Sequence, residues 1–199
     1  MTDEATGVTP PEPKERQGLL IVYTGNGKGK TTAALGLAFR ALGHGMKILM
    51  IQYIKGKWKT GEKKLADRLA PDIEIRPMGD GFTWDTNNPA QDIATTARIW
   101  EVSREAIQSG KYDIVILDEI NVVMKLGYLD PQVVVDFLKG RDPRLHVVLT
   151  GRGAPPAIIE AADLVSEVQM VKHPFRPDPN RPHKPSRAEG IKAQRGIEF

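Results

Sequence analysis

The feature that most constrains this chain is one strand–loop–helix segment near its start. Residues 19–24 form a continuous apolar run, as expected for a strand that is buried on both faces. The glycine-rich stretch GNGKGKTT follows, and residues 31–42 then predict a helix that ends at Gly43. Glycines let the backbone curl so that successive N–H groups face one anion, and the start of the helix adds partial positive charge. The segment therefore predicts a P-loop.

In a P-loop the lysine reaches the outer phosphates and the next hydroxyl binds Mg²⁺. Here these residues are Lys30, which we expect to lie exposed in the loop, and Thr31. The common pattern G-x-x-x-x-G-K-T has its first glycine at the position of Thr24, so we expect the phosphates to be held somewhat differently from those in a common ATPase. A glycine-rich turn that binds nothing is the alternative. The predicted nucleotide-binding residues are Gly25, Asn26, Gly27, Lys28, Gly29, Lys30, Thr31 and Thr32.

Strand and helix signals alternate along the rest of the chain. Further strands are predicted at residues 46–54, 73–78, 114–117, 146–150 and 164–170, and helices at 89–109, 131–139 and 155–162. This order predicts an α/β fold with right-handed crossovers, a mostly parallel sheet and helices on both faces. We expect a flexible tail at residues 1–17, an α/β domain at 18–172 and a proline-rich extension at 173–199.

Composition excludes several classes of site. The chain has no cysteine, which rules out a disulfide scaffold, a cysteine zinc site, an iron–sulfur cluster and a thiol nucleophile. No apolar run approaches the ~18 residues that a membrane helix needs, and the acidic-polar start has no apolar signal core. A net charge of +3 suits a phosphate-binding enzyme and a nucleic-acid binder equally. We expect a cytoplasmic protein.

A second signal is the apolar run IVIL followed by Asp118 and Glu119. A strand that ends in carboxylates places them at the carboxyl edge of the sheet, where ligands bind in this fold class. We expect one of the two to hold Mg²⁺ directly or through water, and the sequence does not say which. The alternative is a solvated acidic pair at the end of a strand.

A third signal is the polar stretch GDGFTWDT, which contains Phe82 and Trp84. In an extended segment, residues two apart face the same way. Two large aromatics on one side of an exposed loop suit a flat ligand, although composition alone favours the alternative that they fill the core.

Several blocks of sequence together resemble the P-loop type of ATP:corrinoid adenosyltransferase, and they cover residues 18–199. The blocks are TGNGKGKTTAALGLAFRALGHG, QYIKGKW, GFTWDT, DIVILDEI, LTGRGAPP, DLVSEVQMVKHPF and GIKAQRGIEF. The resemblance implies a RecA-like, doubly wound α/β domain that is usually a homodimer. It also implies transfer of the 5′-deoxyadenosyl group of ATP to the Co(I) centre of cobalamin or a precursor, with release of triphosphate.

The resemblance further implies roles for individual residues. Thr31 and Glu119 would ligate Mg²⁺ or Mn²⁺, with Asp118 nearby. Arg40, further along the P-loop helix, would support nucleotide binding, or else form a surface salt bridge. Phe82 and Trp84 would press against the lower face of the corrin and displace its axial base, which makes the cobalt easier to reduce. The implied catalytic residues are Lys30, Phe82, Trp84 and Glu119.

Because the chain shows no redox cofactor motif, the resemblance also implies an external reductant such as a reduced flavoprotein, with no nucleic-acid or membrane partner. Two other functions are open on the sequence. One is a RecA-like ATP hydrolase in which Glu119 activates water and Arg152 senses phosphate. The other is a small-molecule kinase with arginines near the C-terminus. Arg152 and His173 are further candidates for contact with phosphate, nucleotide or corrin.

Overall fold

The computed structural model describes residues 17–56, 60–81, 88–173 and 194–197. Most of the expected N-terminal tail, most of the proline-rich extension, and both Phe82 and Trp84 lie outside these ranges. The strands are β1 Leu20–Thr24, β2 Ile48–Gln52, β3 Ile73–Pro77, β4 Ile114–Asp118, β5 His146–Thr150 and β6 Leu164–Glu167. The helices are α1 Lys30–Leu42, α2 Gly61–Arg68, α3 Pro89–Gln108, α4 Ile120–Lys125, α5 Pro131–Lys139 and α6 Pro156–Ala161.

The strands of the described residues form one sheet in the order β3-β2-β4-β5-β1-β6. Every neighbouring pair is parallel, which confirms the predicted parallel sheet. Strand β5 lies between β1, which leads into the P-loop, and β4, which ends in Asp118. Since all these strands run in the same direction, their carboxyl ends meet at one edge, and the functional loops that follow them lie together there.

Side chains alternate across the sheet, and each face has its own core. On one face, α1 and α2 supply small alanines that pack against Ile21, Met50, Ile116 and Val148. On the other face, α3, α4, α5 and α6 pack over Val22, Leu49, Leu117 and Leu149. Because both faces of strands such as β4 are buried, these strands are apolar at successive positions rather than at alternate ones. The doubly wound, RecA-like P-loop architecture is confirmed.

Two helices had no counterpart in the sequence-based prediction. Helix α2 consists mostly of charged residues and buries only Ala66, so no apolar stripe reveals it; the Thr60 hydroxyl accepts the Lys63 N–H at its start. Helix α4 has six residues, too few to show a 3.6-residue period, and it follows β4 after a single residue. Strand β6 ends at Glu167 rather than at position 170, on the exposed edge of the sheet.

No helix among the described residues combines the length and the apolar character needed to cross a membrane.

Candidate active site

A cavity of about 640 Å³ opens at the carboxyl edge of the sheet, above the P-loop. It brings together residues from distant parts of the chain: the P-loop, the loop after β2, the start of α2, the end of β4 and the loop after β5. Its lining residues are Gly27, Lys28, Gly29, Lys30, Thr31, Thr32, Leu35, Lys55, Gly61, Glu62, Glu119, Arg152, His173, Gly196 and Ile197. Six of the eight P-loop residues predicted from the sequence lie on its wall, and Gly25 and Asn26 do not.

Lys30 begins helix α1 and is only 6% exposed, so the expectation of an exposed loop lysine is wrong. The P-loop wraps around its side chain, and its ammonium donates to the carbonyl oxygens of Gly25 at 2.9 Å and Gly27 at 2.6 Å. Burial lowers the pKa of Lys30, with the Arg152 charge acting in the same direction, while Glu119 and Asp118 oppose the shift. Phosphate oxygens would replace these carbonyls as charged acceptors, which form stronger hydrogen bonds.

The P-loop is backed by the chain that continues beyond β6. The Val168 N–H donates to the Thr24 carbonyl at 2.8 Å, and the Gly27 N–H donates to the Val168 carbonyl at 2.7 Å. A Cβ atom on Gly25 would lie 2.5 Å from the Val168 oxygen, and one on Gly27 would lie 2.7 Å from the Gln169 oxygen. Glycine is therefore required at both positions by the close approach of backbone. In this structure the Gly27 N–H bonds to protein, so its part in phosphate binding stays a prediction.

Thr24 stands where the common P-loop pattern has glycine, and its side chain is only 7% exposed. Its hydroxyl accepts a hydrogen bond from the Ala154 N–H at 3.0 Å. The threonine thus ties the end of β1 to the loop that follows β5, a link that glycine could not make.

Asp118 is fully buried and is held by side chains from the P-loop helix and two neighbouring strands. Its Oδ1 accepts the hydroxyl hydrogens of Thr31 at 2.8 Å and Thr150 at 2.7 Å, and its Oδ2 accepts Gln52 Nε2 at 3.2 Å. Asp118 is not on the cavity wall. Its carboxylate therefore orients the Thr31 hydroxyl from the side that faces away from the cavity.

Glu119 lies on the cavity wall and comes before α4 with a left-handed φ of 64°. It is the non-glycine residue with positive φ in the described part of the chain, a conformation that costs energy and marks functional turns. The Thr150 hydroxyl accepts its N–H at 2.9 Å while donating to Asp118, so one threonine fixes both carboxylates. Burial and, secondly, the Asp118 charge raise the pKa of Glu119. Of the two acids, Glu119 is the one that faces the cavity.

Thr31 and Glu119, the residues predicted to hold a divalent cation, both lie on the wall of this cavity. The described residues contain no cluster of three or more His, Cys, Asp or Glu side chains able to hold a metal alone. Mg²⁺ prefers oxygen ligands and usually keeps waters and substrate phosphates in its shell. A hydroxyl and one carboxylate fit a cation that arrives bound to a nucleotide.

Several wall residues were not predicted as site residues. Lys55 follows β2 at the carboxyl edge, and its ammonium lies 3.5 Å from Glu62 Oε1 and 3.8 Å from Asp118 Oδ2. The position of Lys55 after a buried strand was a usable signal. Glu62 lies on α2, a helix that the sequence did not reveal.

Arg152 and His173, which the sequence offered as further candidates, both line the cavity. Gly196 and Ile197 show that the chain returns to it near its C-terminus.

Arg40 is not brought to this cavity. It lies in the last turn of α1, ten positions after Lys30, or about 15 Å along the helix. There it borders a separate, largely apolar cavity at the opposite edge of the sheet, with Leu37, His44, Met46 and His146 among its neighbours. No contact of Arg40 within the described residues supports the expected role in nucleotide binding.

Phe82 and Trp84 lie outside the described residues, but the chain on either side of them is described. Before them, the N–H groups of Met78 and Gly79 donate to the Gln52 carbonyl at 3.1 and 3.2 Å. After them, the Asn88 side chain accepts the Gln91 N–H at the start of α3. The chain thus leaves β3 and enters this segment beside the end of β2, at the same edge of the sheet as the P-loop.

A family model described as "ATP:corrinoid adenosyltransferase BtuR/CobO/CobP" matches residues 16–199. A corrinoid adenosyltransferase from Sinorhizobium sp. is 44% identical over 93% of this chain and 82% of its own length. One from Pseudomonas aeruginosa is 42% identical over 94% of this chain and 86% of its own length. Among solved structures, the flagellar accessory protein FlaH from Methanocaldococcus jannaschii shares the fold, with a TM-score of 0.52 at 14% identity over 76% of this chain and 71% of that protein. Together with the P-loop cavity, these matches show that the chain belongs to the ATP:corrinoid adenosyltransferase family.

Proposed function

We propose that the P-loop cavity of this adenosyltransferase holds the triphosphate of ATP as a leaving group while a Co(I) corrinoid attacks the C5′ atom. The observation that carries the proposal is the convergence of Lys30, Thr31 and Glu119 on one cavity, with Asp118 fixed behind them. The site offers positive charge, hydroxyls and carboxylates, which suit a triphosphate and its cation. Family membership supplies the corrinoid as the acceptor.

The reaction is a substitution at carbon. The electron pair of Co(I) forms the Co–C5′ bond, the C5′–O5′ bond breaks, and its electron pair leaves on O5′ as part of the triphosphate. Negative charge therefore passes from cobalt to the leaving group. Preorganised cations around that group stabilise the transition state more than the ground state. Holding two reactants in line can supply ~7–11 kcal/mol of the barrier. In this account no side chain needs to exchange a proton with the substrate.

The roles of the protein groups follow from their positions. Lys30 would exchange its two loop carbonyls for phosphate oxygens, and the surrounding P-loop N–H groups and the start of α1 would add positive potential. Thr31, oriented by Asp118, and Glu119 would hold Mg²⁺ or Mn²⁺. That cation would neutralise phosphate charge while bound.

The corrinoid side of the site rests on Phe82 and Trp84. The described chain enters their segment beside the end of β2, close to the edge where the cavity opens, and this supports a corrin bound over that edge. We propose that the two aromatics displace the lower axial base of Co(II) corrinoid. The required electron would come from an external reductant such as a reduced flavoprotein. The homodimer and the cytoplasmic location also stay predictions.

One observation favours a second candidate function, a RecA-like ATP hydrolase. A carboxylate on a cavity wall with a raised pKa, such as Glu119, is what a general base for water attack requires. Adenosyl transfer breaks the C5′–O5′ bond and leaves the phosphate chain intact, whereas hydrolysis or phosphoryl transfer breaks the bond to the terminal phosphate.

An ATP analogue with a methylene bridge between its β- and γ-phosphorus atoms separates these reactions. Under anaerobic conditions with chemically reduced cobalamin and Mg²⁺, the analogue should still be converted to adenosylated product, because no bond between phosphates has to break. A protein that turns over ATP and not the analogue would instead be a hydrolase or a kinase.

A further inference from the structure

We infer that Lys55 is a phosphate-binding residue for the departing triphosphate, and that in this structure its ammonium lies near carboxylates at the cavity. This inference rests on the proposed function and adds to it a residue outside the P-loop. Lys55 lies on the loop after β2, faces the cavity, and is 29% exposed at its side chain. It reaches the cavity from the loop after β2, a different part of the chain from the P-loop lysines.

Among the residues that the structure describes, Lys55 has ion-pair contacts but no strong hydrogen bond. Its ammonium lies 3.5 Å from Glu62 and 3.8 Å from Asp118, and both distances exceed those of a charge-assisted hydrogen bond. Within the described residues the ammonium is therefore attracted by two acids and held at hydrogen-bond distance by neither of them.

The position of Asp118 links Lys55 to the chemistry. Asp118 holds Thr31 at 2.8 Å, so an ammonium 3.8 Å from the other oxygen of the same carboxylate lies beside the proposed cation and phosphates. A lysine side chain is long and flexible, and only its terminal rotamers need to change for it to turn toward an anion in the cavity. When the C5′–O5′ bond breaks, the triphosphate gains negative charge, and an additional ammonium at this place lowers the barrier.

If Lys55 has this role, its removal should change two affinities in opposite directions, the affinity for triphosphate and the affinity for a divalent cation. Without Lys55, the triphosphate loses a charged donor and binds more weakly. A divalent cation added without nucleotide loses a repelling neighbour and binds more tightly to Glu119 and the other acids. A lysine that merely packed the loop would not change the two affinities in opposite directions.

The test compares Lys55→Gln and Lys55→Arg with the control Lys63→Gln, which removes an equal charge from an α2 residue that is half-buried, pairs with Asp67 and does not line the cavity. Calorimetry with inorganic triphosphate and Mg²⁺ should show binding about 10- to 100-fold weaker for Lys55→Gln. Lys55→Arg should keep most of the affinity, and Lys63→Gln should match the wild type. With Mn²⁺ alone, followed by electron paramagnetic resonance, Lys55→Gln should bind about fivefold more tightly.

An activity assay with saturating ATP and chemically reduced cobalamin should also give a lower kcat for Lys55→Gln than for the wild type. The melting temperature of Lys55→Gln should stay close to that of the wild type. The inference is overturned if Lys55→Gln binds triphosphate as the wild type does, if Lys63→Gln loses as much, or if Lys55→Arg is as weak as Lys55→Gln. Weaker Mn²⁺ binding by Lys55→Gln would also overturn it. These outcomes differ from a failure of the proposed function, in which the wild type itself would neither bind triphosphate nor form adenosylated product.

Discussion

The Thr31 hydroxyl donates to Asp118 Oδ1 at 2.8 Å and joins the first turn of the P-loop helix to the end of β4, two strands away from β1. This bond fixes the direction of the one P-loop hydroxyl that is expected to bind the metal. The carboxylate that makes it is itself held by Thr150 and Gln52. The P-loop motif and the acidic motif at the end of β4 are thus joined by a hydrogen bond, so a substitution in one motif should change the geometry of the other.

Replacement of Asp118 by Asn should separate this positioning role from metal ligation. Asparagine offers one acceptor oxygen in place of two, so its NH2 group would face either the Thr31 and Thr150 hydroxyls or Gln52 Nε2. We expect a loss of about 1–3 kcal/mol in the free energy of unfolding, because buried donors are left without acceptors. Urea denaturation measures this loss, and the exposed Asp136→Asn serves as control. An unchanged unfolding midpoint together with an unchanged Mg²⁺ requirement would show that Asp118 does not orient Thr31.

Replacement of Lys30 by Met keeps the alkyl chain and removes the charge. Affinity for triphosphate should fall by about 100-fold or more, since several charge-assisted hydrogen bonds are lost. Because Lys30 also bonds to the Gly25 and Gly27 carbonyls, the ligand-free protein should be somewhat less stable too. Calorimetry and thermal unfolding measure the two effects. Turnover within threefold of the wild type would remove Lys30 from the catalytic residues.

The raised pKa of Glu119 predicts a pH dependence of stability in the absence of ligand. Burial disfavours the ionised carboxylate, so the folded state binds the proton more tightly than the unfolded state does. The contribution to stability is full below the ordinary pKa of a glutamate, and it is lost as the pH rises through the higher pKa of the folded state. Melting temperatures from acid to neutral pH should show this loss in the wild type.

Glu119→Gln should lack that pH dependence and should be at least as stable as the wild type at neutral pH. It should also need more Mg²⁺ for activity, without a change in corrinoid affinity. The exposed Glu160→Gln is the matched control. If Glu119→Gln follows the pH curve of the wild type, the buried charge lies on another residue.

Much of this architecture was predictable from sequence, and particular residues show where prediction stopped. The apolar run of β4 followed by two acids located the carboxylates, but their separate roles depend on a hydrogen-bond network that spans β2, β4 and β5. The burial of Lys30 could not be read from a glycine-rich loop, since it arises from how the loop carbonyls wrap the ammonium. Glu62 was missed because α2 consists mostly of charged residues and shows no apolar stripe, whereas Lys55 follows a buried strand and was a signal that the prediction did not use. Arg40 was assigned by resemblance, and in the structure it lies along α1 away from the cavity.

Phe82 and Trp84 give a prediction that separates the two cobalt oxidation states. If they displace the axial base of Co(II) corrinoid, Phe82→Ala and Trp84→Ala should be severely slowed with Co(II)alamin and a physiological reductant. With Co(I) prepared chemically, reduction is bypassed and much more activity should remain. ATP affinity should be little changed. Equal losses with both cobalt states, together with lower stability, would mean that the two aromatics pack the core.

The central claim is that the whole triphosphate leaves as C5′ bonds to cobalt. The most direct measurement mixes the protein anaerobically with ATP, Mg²⁺ and chemically reduced cobalamin, and quantifies both products. The account predicts a light-sensitive adenosylated corrinoid and one intact triphosphate for each adenosyl group transferred. Formation of ADP and phosphate without any corrinoid, and no adenosylated product, would contradict it.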